Sequence, residues 1–393
     1  MRRDNRVIAP LWTSADLLFL TIKECEAVAM SMFSPEVFST EPFQPGMFTD
    51  LNSEENVNAV RDNVTGPLSH GCTYKEDFKR YLLPAVYSTV FLIGLPLNGV
   101  VIMRIWKSRP CLTRSKVYML NLAIADFLYV MSLPLLIFNY ASHDYWPFGD
   151  LACKLVRFQF YSNLHGSILF LTCISLQRYF GICHPMASWH RYGGRKLAWV
   201  VCGVVWLVVA ALCAPTLHYA ATGNQRNRTV CYELSRPQDS GNYYPYGMAL
   251  TCLGFVLPFL AVVVCYCRMA RLLCRPPSYQ GVSMAASMEK RDTAVKMIVV
   301  VVIVFAVSFL PFHLTKTMYL LIRTLPEAPC AMRNLFSVIY KCTRPFASMN
   351  SVLDPILFYF TQPRFRKGTR MLVSRITTRR DKGPRVDKSS GRA

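Results

Sequence analysis

The sequence predicts an all-α membrane protein, a bundle of seven membrane-crossing helices, and three observations predict it. Hydrophobic residues make up 52% of the 393-residue chain and charged residues only 17%, against about a quarter charged in an ordinary soluble chain. Mean hydropathy is positive, at +0.25. Seven apolar stretches are each long enough to cross about 30 Å of hydrocarbon, which takes about 20 residues as a helix. The composition excludes an ordinary soluble enzyme and a disordered chain, which lacks apolar residues. The net charge of +21 would suit a nucleic-acid binder, but such a protein does not carry unbroken apolar runs.

The stretches are Tyr81–Trp106, Ser115–Asn139, Leu151–Ile182, Leu197–Leu217, Tyr246–Met269, Thr293–Leu321 and Leu335–Phe360. Period-2 alternation is absent, so a transmembrane β-barrel is excluded. Seven crossings put the termini on opposite sides. The tail from Thr361 holds eleven Lys/Arg against Asp381 and Asp387, and basic segments beside spans stay cytoplasmic. The N-terminus is therefore expected outside. Two N-glycosylation sequons, at Asn63 and Asn227, fall on that same outer side. Val7–Ile22 is apolar but short, contains Pro10 and Asp16, and reads as part of an unstructured extension, not as a signal peptide. The expected division is an extracellular segment over 1–80, a membrane domain over 81–360 and a basic cytoplasmic tail over 361–393.

Of fifteen cysteines, four lie just beyond helix ends on the oxidising face: Cys72, Cys153, Cys231 and Cys330. Two disulfides are expected there, and sequence alone allows three pairings. The remainder read as small buried apolar residues. No cysteine or histidine spacing suggests a metal.

Ionisable groups at bilayer depth are costly and mark function. Asp126 and Asp354 fall mid-helix, with Asn98, Ser167 and Asn350 able to face them. Two readings stand: a hydrated polar core that rearranges on activation, with Na⁺ at Asp126, or an interhelical hydrogen-bond network. Arg157, Lys316 and Arg344 lie about 6–17 Å along their helices from Cys153, Pro311 and Pro355, all in the outer half. Three cations on three helices call for an anionic ligand carrying several charges, and phosphates suit arginine forks. Lys341 adds to the field near the mouth. Glu233 is placed to pair with Lys316 or Arg344 when ligand is absent. Tyr87, Phe160, Tyr161, His313 and Tyr340 offer faces for a base and a ribose. The competing reading is snorkelling to headgroups or loop salt bridges.

The order of motifs resembles the rhodopsin-like G-protein-coupled receptors. They are Gly94-Leu95-Pro96-Leu97-Asn98, Leu120-Asn121-Leu122-Ala123-Ile124-Ala125-Asp126, Gln177-Arg178-Tyr179, Trp206, Pro258, Phe309-Leu310-Pro311-Phe312 and Asp354-Pro355-Ile356-Leu357-Phe358. Within that family, Phe160-Tyr161-Ser162-Asn163-Leu164-His165-Gly166-Ser167, Pro311-Phe312-His313-Leu314-Thr315-Lys316 and Lys341-Cys342-Thr343-Arg344-Pro345-Phe346 are similar to the metabotropic purinoceptors, particularly the UDP-preferring member. The likeness runs from Cys72 to Gln362, roughly three quarters of the chain.

The resemblance implies disulfides Cys153–Cys231 and Cys72–Cys330. It implies a plasma-membrane receptor for extracellular nucleotides, UDP favoured, with a Gq-type heterotrimeric G protein, phospholipase C and calcium downstream. Arg178, with Tyr179 beside it, is then the G-protein-facing switch. Gln177 departs from the family's acidic residue, so restraint of the inactive state is expected to be weaker. No cofactor, catalytic residue or nucleic-acid partner is expected. Two alternatives remain, a receptor for another anion such as a lipid carboxylate, and an anion channel or transporter. The chain lacks the repeats and paired broken helices of many transporters.

Overall fold

The computed structural model describes residues 77–107, 112–184, 194–225, 227–273 and 300–361. The N-terminal segment with Asn63 and Cys72, the tail after Thr361 and the start of the sixth stretch lie outside the described residues. Helix α1 covers Lys79–Lys107, α2 Arg114–Ala141, α3 Gly149–Cys183 and α4 Gly194–Cys213. A hairpin follows, β1 Thr222–Gln225 paired antiparallel with β2 Arg228–Cys231. Helix α5 runs through Ser240–Thr251, a π-helical turn at Cys252–Val256, and Leu257–Leu273. Helix α6 covers Val300–Thr324, with a π-helical turn at Phe305–Phe309, and α7 covers Cys330–Thr361.

Helices α1 to α6 are long and apolar enough to cross a membrane. Helix α7 has the length, 32 residues, and carries more polar residues. Their outward faces are apolar as well as their packed ones: Leu92, Val200 and Leu207 are 63–72% exposed. A helix that is apolar all round suits lipid on one side and protein on the other. Helix α3 shows how the core forms. Every residue from Phe160 to Ile168 is buried, so the middle of α3 is covered on all sides. The helix packs against α2, α4 and α5, while α1 lies on α2 and α7, and α6 on α7.

Proline explains where the helices depart from regularity. Proline lacks an N–H and its ring collides with the carbonyl four residues back. For Pro258 that carbonyl is Gly254, and for Pro311 it is Val307; both fall inside the π-helical turns. The widened turn accommodates the ring, and the freed Gly254 carbonyl meets His165 Nδ1 at 3.3 Å. A side chain at 254 would collide with that imidazole.

Three boundaries differ from the sequence expectation. Helix α4 stops at Cys213 because Pro215 cannot continue it, and a short turn, Thr216–Tyr219, follows. Helix α5 begins at Ser240, six residues before the expected Tyr246, and accommodates Pro245 in its second turn. Helix α7 begins at Cys330, five residues before Leu335.

Candidate functional site

The hairpin brings one end of the bundle together, and that end is called here the hairpin end. The Cys153–Cys231 disulfide, Cα–Cα 5.7 Å, ties the start of α3 to β2. Thr222 donates to Asp150 from its backbone N–H and its hydroxyl, at 2.8 and 3.1 Å. Trp146 N–H donates to the Thr229 carbonyl at 2.8 Å. Lys79, at the start of α1, pairs with Asp144 at 2.5 Å. Cys330 is also disulfide-bonded, and its expected partner Cys72 lies outside the described residues. Asn227 is exposed at the hairpin tip with φ of 63°.

Fixing β2 delivers Glu233 to the bundle, two residues beyond Cys231. Its Oε1 lies 2.6 Å from Arg344 Nη1 and accepts from the Tyr140 hydroxyl at 2.6 Å. Arg344 also donates to Tyr140 Oη at 3.1 Å and lies 4.9 Å from the centre of the Phe160 ring. Of the two cations open to Glu233 in the sequence, Arg344 is thus its partner. Burial by itself would raise the Glu233 carboxyl, but Arg344, Lys341 and Arg157 outweigh it and hold the group far below the usual carboxylate range.

The three expected cations converge at this end, and all are at most 1% exposed. Arg157 Nη2 donates to the Cys231 carbonyl at 3.1 Å, while its Nε and Nη1 have no partner among the described residues, nor does Arg344 Nε. Lys316 Nζ likewise has no hydrogen-bond partner there and lies 4.7 Å from the centre of the Tyr161 ring. Lys341 is half-buried on α7.

The expected aromatic residues line the same space. Tyr87 is buried 5.9 Å from Tyr140, and Phe160 packs edge-on to Tyr161 and Phe312. Tyr340 stacks on Tyr319, and His313 stacks on Phe255 with ring centres 4.2 Å apart. Both His313 nitrogens are buried without partners among the described residues, and the buried hydroxyls of Tyr87 and Tyr340 lie beside Ser348 and Tyr161. Sequence reasoning missed Tyr140 and His165. Tyr140 had a readable signal: it extends the buried stripe Tyr129, Leu133, Leu136 at helical spacing.

A second polar cluster lies deeper in the bundle. Asp126 Oδ1 accepts from Asn163 and from Ser351, both at 2.8 Å. Asn98 donates to the Gly94 and Ser351 carbonyls at 3.0 and 2.8 Å. Asp126, Asp354 and Asn98 border one small cavity, and Ser167 lies beside Asp354. Asn350 Oδ1 lies 3.3 Å from the Ser351 hydroxyl, whose one proton goes to Asp126 at the shorter distance. The residues that do reach Asp126 were missed. Asn163 is four residues before Ser167 and Ser351 three before Asp354, so helical spacing signals both.

At the opposite end of α3, Gln177 Oε1 accepts from Ser115 of α2 at 3.2 Å. Arg178 is half-buried and its Nε has no partner among the described residues. The Tyr179 hydroxyl lies 3.2 Å from His184 Nε2. Trp206 Nε1 donates to Asn121 Oδ1 at 2.9 Å, joining α4 to α2.

Residues 97–358 match the family described as "7 transmembrane receptor (rhodopsin family)". The chain is 62% identical over 310 residues to the metabotropic purinoceptor 3 of Meleagris gallopavo, covering 79% of this chain and 94% of that protein. It is 63% identical over 308 residues to the metabotropic purinoceptor 6 of Rattus norvegicus, covering 78% and 93%. Identity to the metabotropic purinoceptor 4 of Homo sapiens is 45% over 302 residues, covering 77% and 80%. The chain therefore belongs to the rhodopsin family of seven-transmembrane receptors, and within it to the metabotropic purinoceptors, as a multi-pass plasma-membrane receptor and not an enzyme.

Proposed function

We propose that this receptor binds an extracellular nucleotide at the hairpin end of its bundle, UDP in preference, and signals through a Gq-type G protein to phospholipase C and calcium. One observation carries the reading. Of the three buried cations only Arg344 is ion-paired among the described residues, with Glu233, and four of their nitrogens, Arg157 Nε and Nη1, Lys316 Nζ and Arg344 Nε, have no hydrogen-bond partner there. Buried charge that is not compensated is costly, and a diphosphate supplies both the negative charge and the acceptors. The tyrosine hydroxyls and the unpartnered His313 imidazole around it favour a nucleoside over a lipid carboxylate, whose chain needs an apolar slot.

In this reading the hairpin end is extracellular, Asn63 and Asn227 carry sugar, and Cys72 pairs with Cys330. Residues 1–80 are an extracellular segment, and the basic tail is cytoplasmic. Ligand draws the cationic mouth together and shifts the population toward a state in which the far end of α6 swings out beside Arg178. Asp126 is the candidate Na⁺ site of the polar core.

The test is a double-mutant cycle between each of Arg157→Gln, Lys316→Gln and Arg344→Gln and UDP against UMP, at matched surface expression. Each loss should weaken UDP about 10- to 150-fold, the span of one charge-assisted hydrogen bond. Arg344, with its planar fork, should cost more than Lys316. If all three shift UDP less than about threefold, the nucleotide reading fails. Ligand-evoked calcium release without ligand-evoked current separates a receptor from a channel.

A further inference from the structure

We propose that Thr315 and Thr343 are positioning residues that lock α6 to α7 in the one register at which Lys316 and Arg344 close together on a single diphosphate. The inference rests on reading those two cations as phosphate ligands. The two hydroxyl oxygens lie 2.6 Å apart across the helix interface. Each threonine immediately precedes one of the cations, so the cross-link acts one residue from both.

Hydroxyl arithmetic makes the link persistent. Thr315 Oγ1 also lies 2.9 Å from the Pro311 carbonyl and 3.2 Å from that of Phe312. Thr343 Oγ1 lies 2.9 Å from the Tyr340 carbonyl. Two protons serve this set, one per hydroxyl. One spans the gap while the other returns to its own helix, and exchanging the roles leaves the gap bridged.

The link sits where both backbones are weakest. The π-helical turn Phe305–Phe309 and Pro311 lie just below Thr315. Pro345 follows Thr343 by two residues and removes the N–H that the Lys341 carbonyl would otherwise accept from. A slip of one helical turn is about 5.4 Å, well beyond hydrogen-bonding reach. Among the described residues the Tyr319–Tyr340 stack also joins α6 to α7, about one turn from each cation, but the hydroxyl pair is the polar link adjacent to both.

A diphosphate that bridges both cations depends on their spacing, and a monophosphate held by one of them does not. Thr315→Val and Thr343→Val keep shape and remove the hydroxyl. In competition against labelled UDP on intact cells, each should weaken UDP about 3- to 10-fold, as expected for one neutral hydrogen bond. UMP should shift less than about twofold, and Thr343→Ser should restore native behaviour. In a Lys316→Gln background, Thr343→Val should leave the UDP to UMP ratio where Lys316→Gln alone puts it. If the valine variants do not reach the surface, the alanine variants carry the same test. Equal loss of UDP and UMP, or no loss of either, overturns the proposal while leaving the phosphate reading intact. If Lys316→Gln and Arg344→Gln themselves leave UDP unaffected, the phosphate reading fails and this one falls with it.

Discussion

The bundle holds two buried polar clusters that handle desolvation differently. Around Asp126, neutral donors from α3 and α7 meet one carboxylate oxygen at 2.8 Å, and Asn98 closes on backbone carbonyls. At the hairpin end, one carboxylate pairs with Arg344, and Arg157, Lys316 and Arg344 retain nitrogens that meet no acceptor among the described residues. The first cluster joins helices α1, α2, α3 and α7, and leaves Asp126 Oδ2 and both Asp354 oxygens without a hydrogen-bond partner among the described residues. The second leaves cationic nitrogens in that position. Burial of polar atoms alone therefore does not mark an anion site; the sign of the surplus charge separates the two clusters, negative around Asp126 and positive at the hairpin end.

Mutation should separate the two clusters by what each perturbs. The largest effect belongs to Arg344→Gln, with its expected 10- to 150-fold loss of UDP potency at about unchanged surface expression. Ser351→Ala and Asn163→Ala should do the reverse. Each removes one donor to a buried carboxylate and should cost about 1–3 kcal/mol of stability. That loss is read as a lower unfolding temperature in detergent, with UDP potency changed less than in Arg344→Gln. If the polar-core variants lower potency as much as the cation variants, the contrast between the clusters collapses.

A smaller effect is expected at the far end of α3. Gln177→Asp supplies Arg178 with an acidic neighbour and should lower ligand-free signalling, measured as basal inositol phosphate. Unchanged or raised basal signal would mean the bond from Ser115 to Gln177 already provides the restraint.

The smallest effect concerns pH. Arg344, Lys341 and Arg157 hold Glu233 below the usual carboxylate range against the opposing effect of burial. A depressed carboxyl contributes stability that is fully present above its unfolded pKa and is lost only as pH falls through its folded pKa. Between about pH 5 and pH 7.4, the stability difference between native protein and Glu233→Gln should therefore stay constant. A difference that shrinks over that window would show the Arg344 pair to be weaker than its geometry suggests.

Much of this architecture was legible in the sequence because membrane burial writes long apolar runs, and helical spacing then assigns faces. Arg157, Lys316 and Arg344 were readable for that reason: each is an expensive residue at bilayer depth. Glu233 was readable too, two residues after Cys231, but its choice of Arg344 over Lys316 was not. That choice depends on a hairpin fastened to α3 by a disulfide and by Asp150, and two four-residue strands carry little pattern of their own. Tyr140, Asn163 and Ser351 are ordinary polar residues, and only their spacing from neighbours on the same face sets them apart in the sequence. Asn350 and Ser351 are adjacent and point about 100° apart around the helix, and it is Ser351 that donates to Asp126.

The hairpin tip has a practical consequence. Gln225 pairs with Arg228, and Asn227 between them is exposed in a left-handed conformation. The strands carry this tip about 13 Å from the Cys231 anchor, at about 3.3 Å per residue. Solvent-facing tips of this kind accept inserted sequence with little penalty. An epitope placed there would stand clear of Glu233 and the cations, and antibody staining of unpermeabilised cells would count receptors while leaving the mouth free. The same label would report sidedness directly, because staining without permeabilisation requires the hairpin end to face outward.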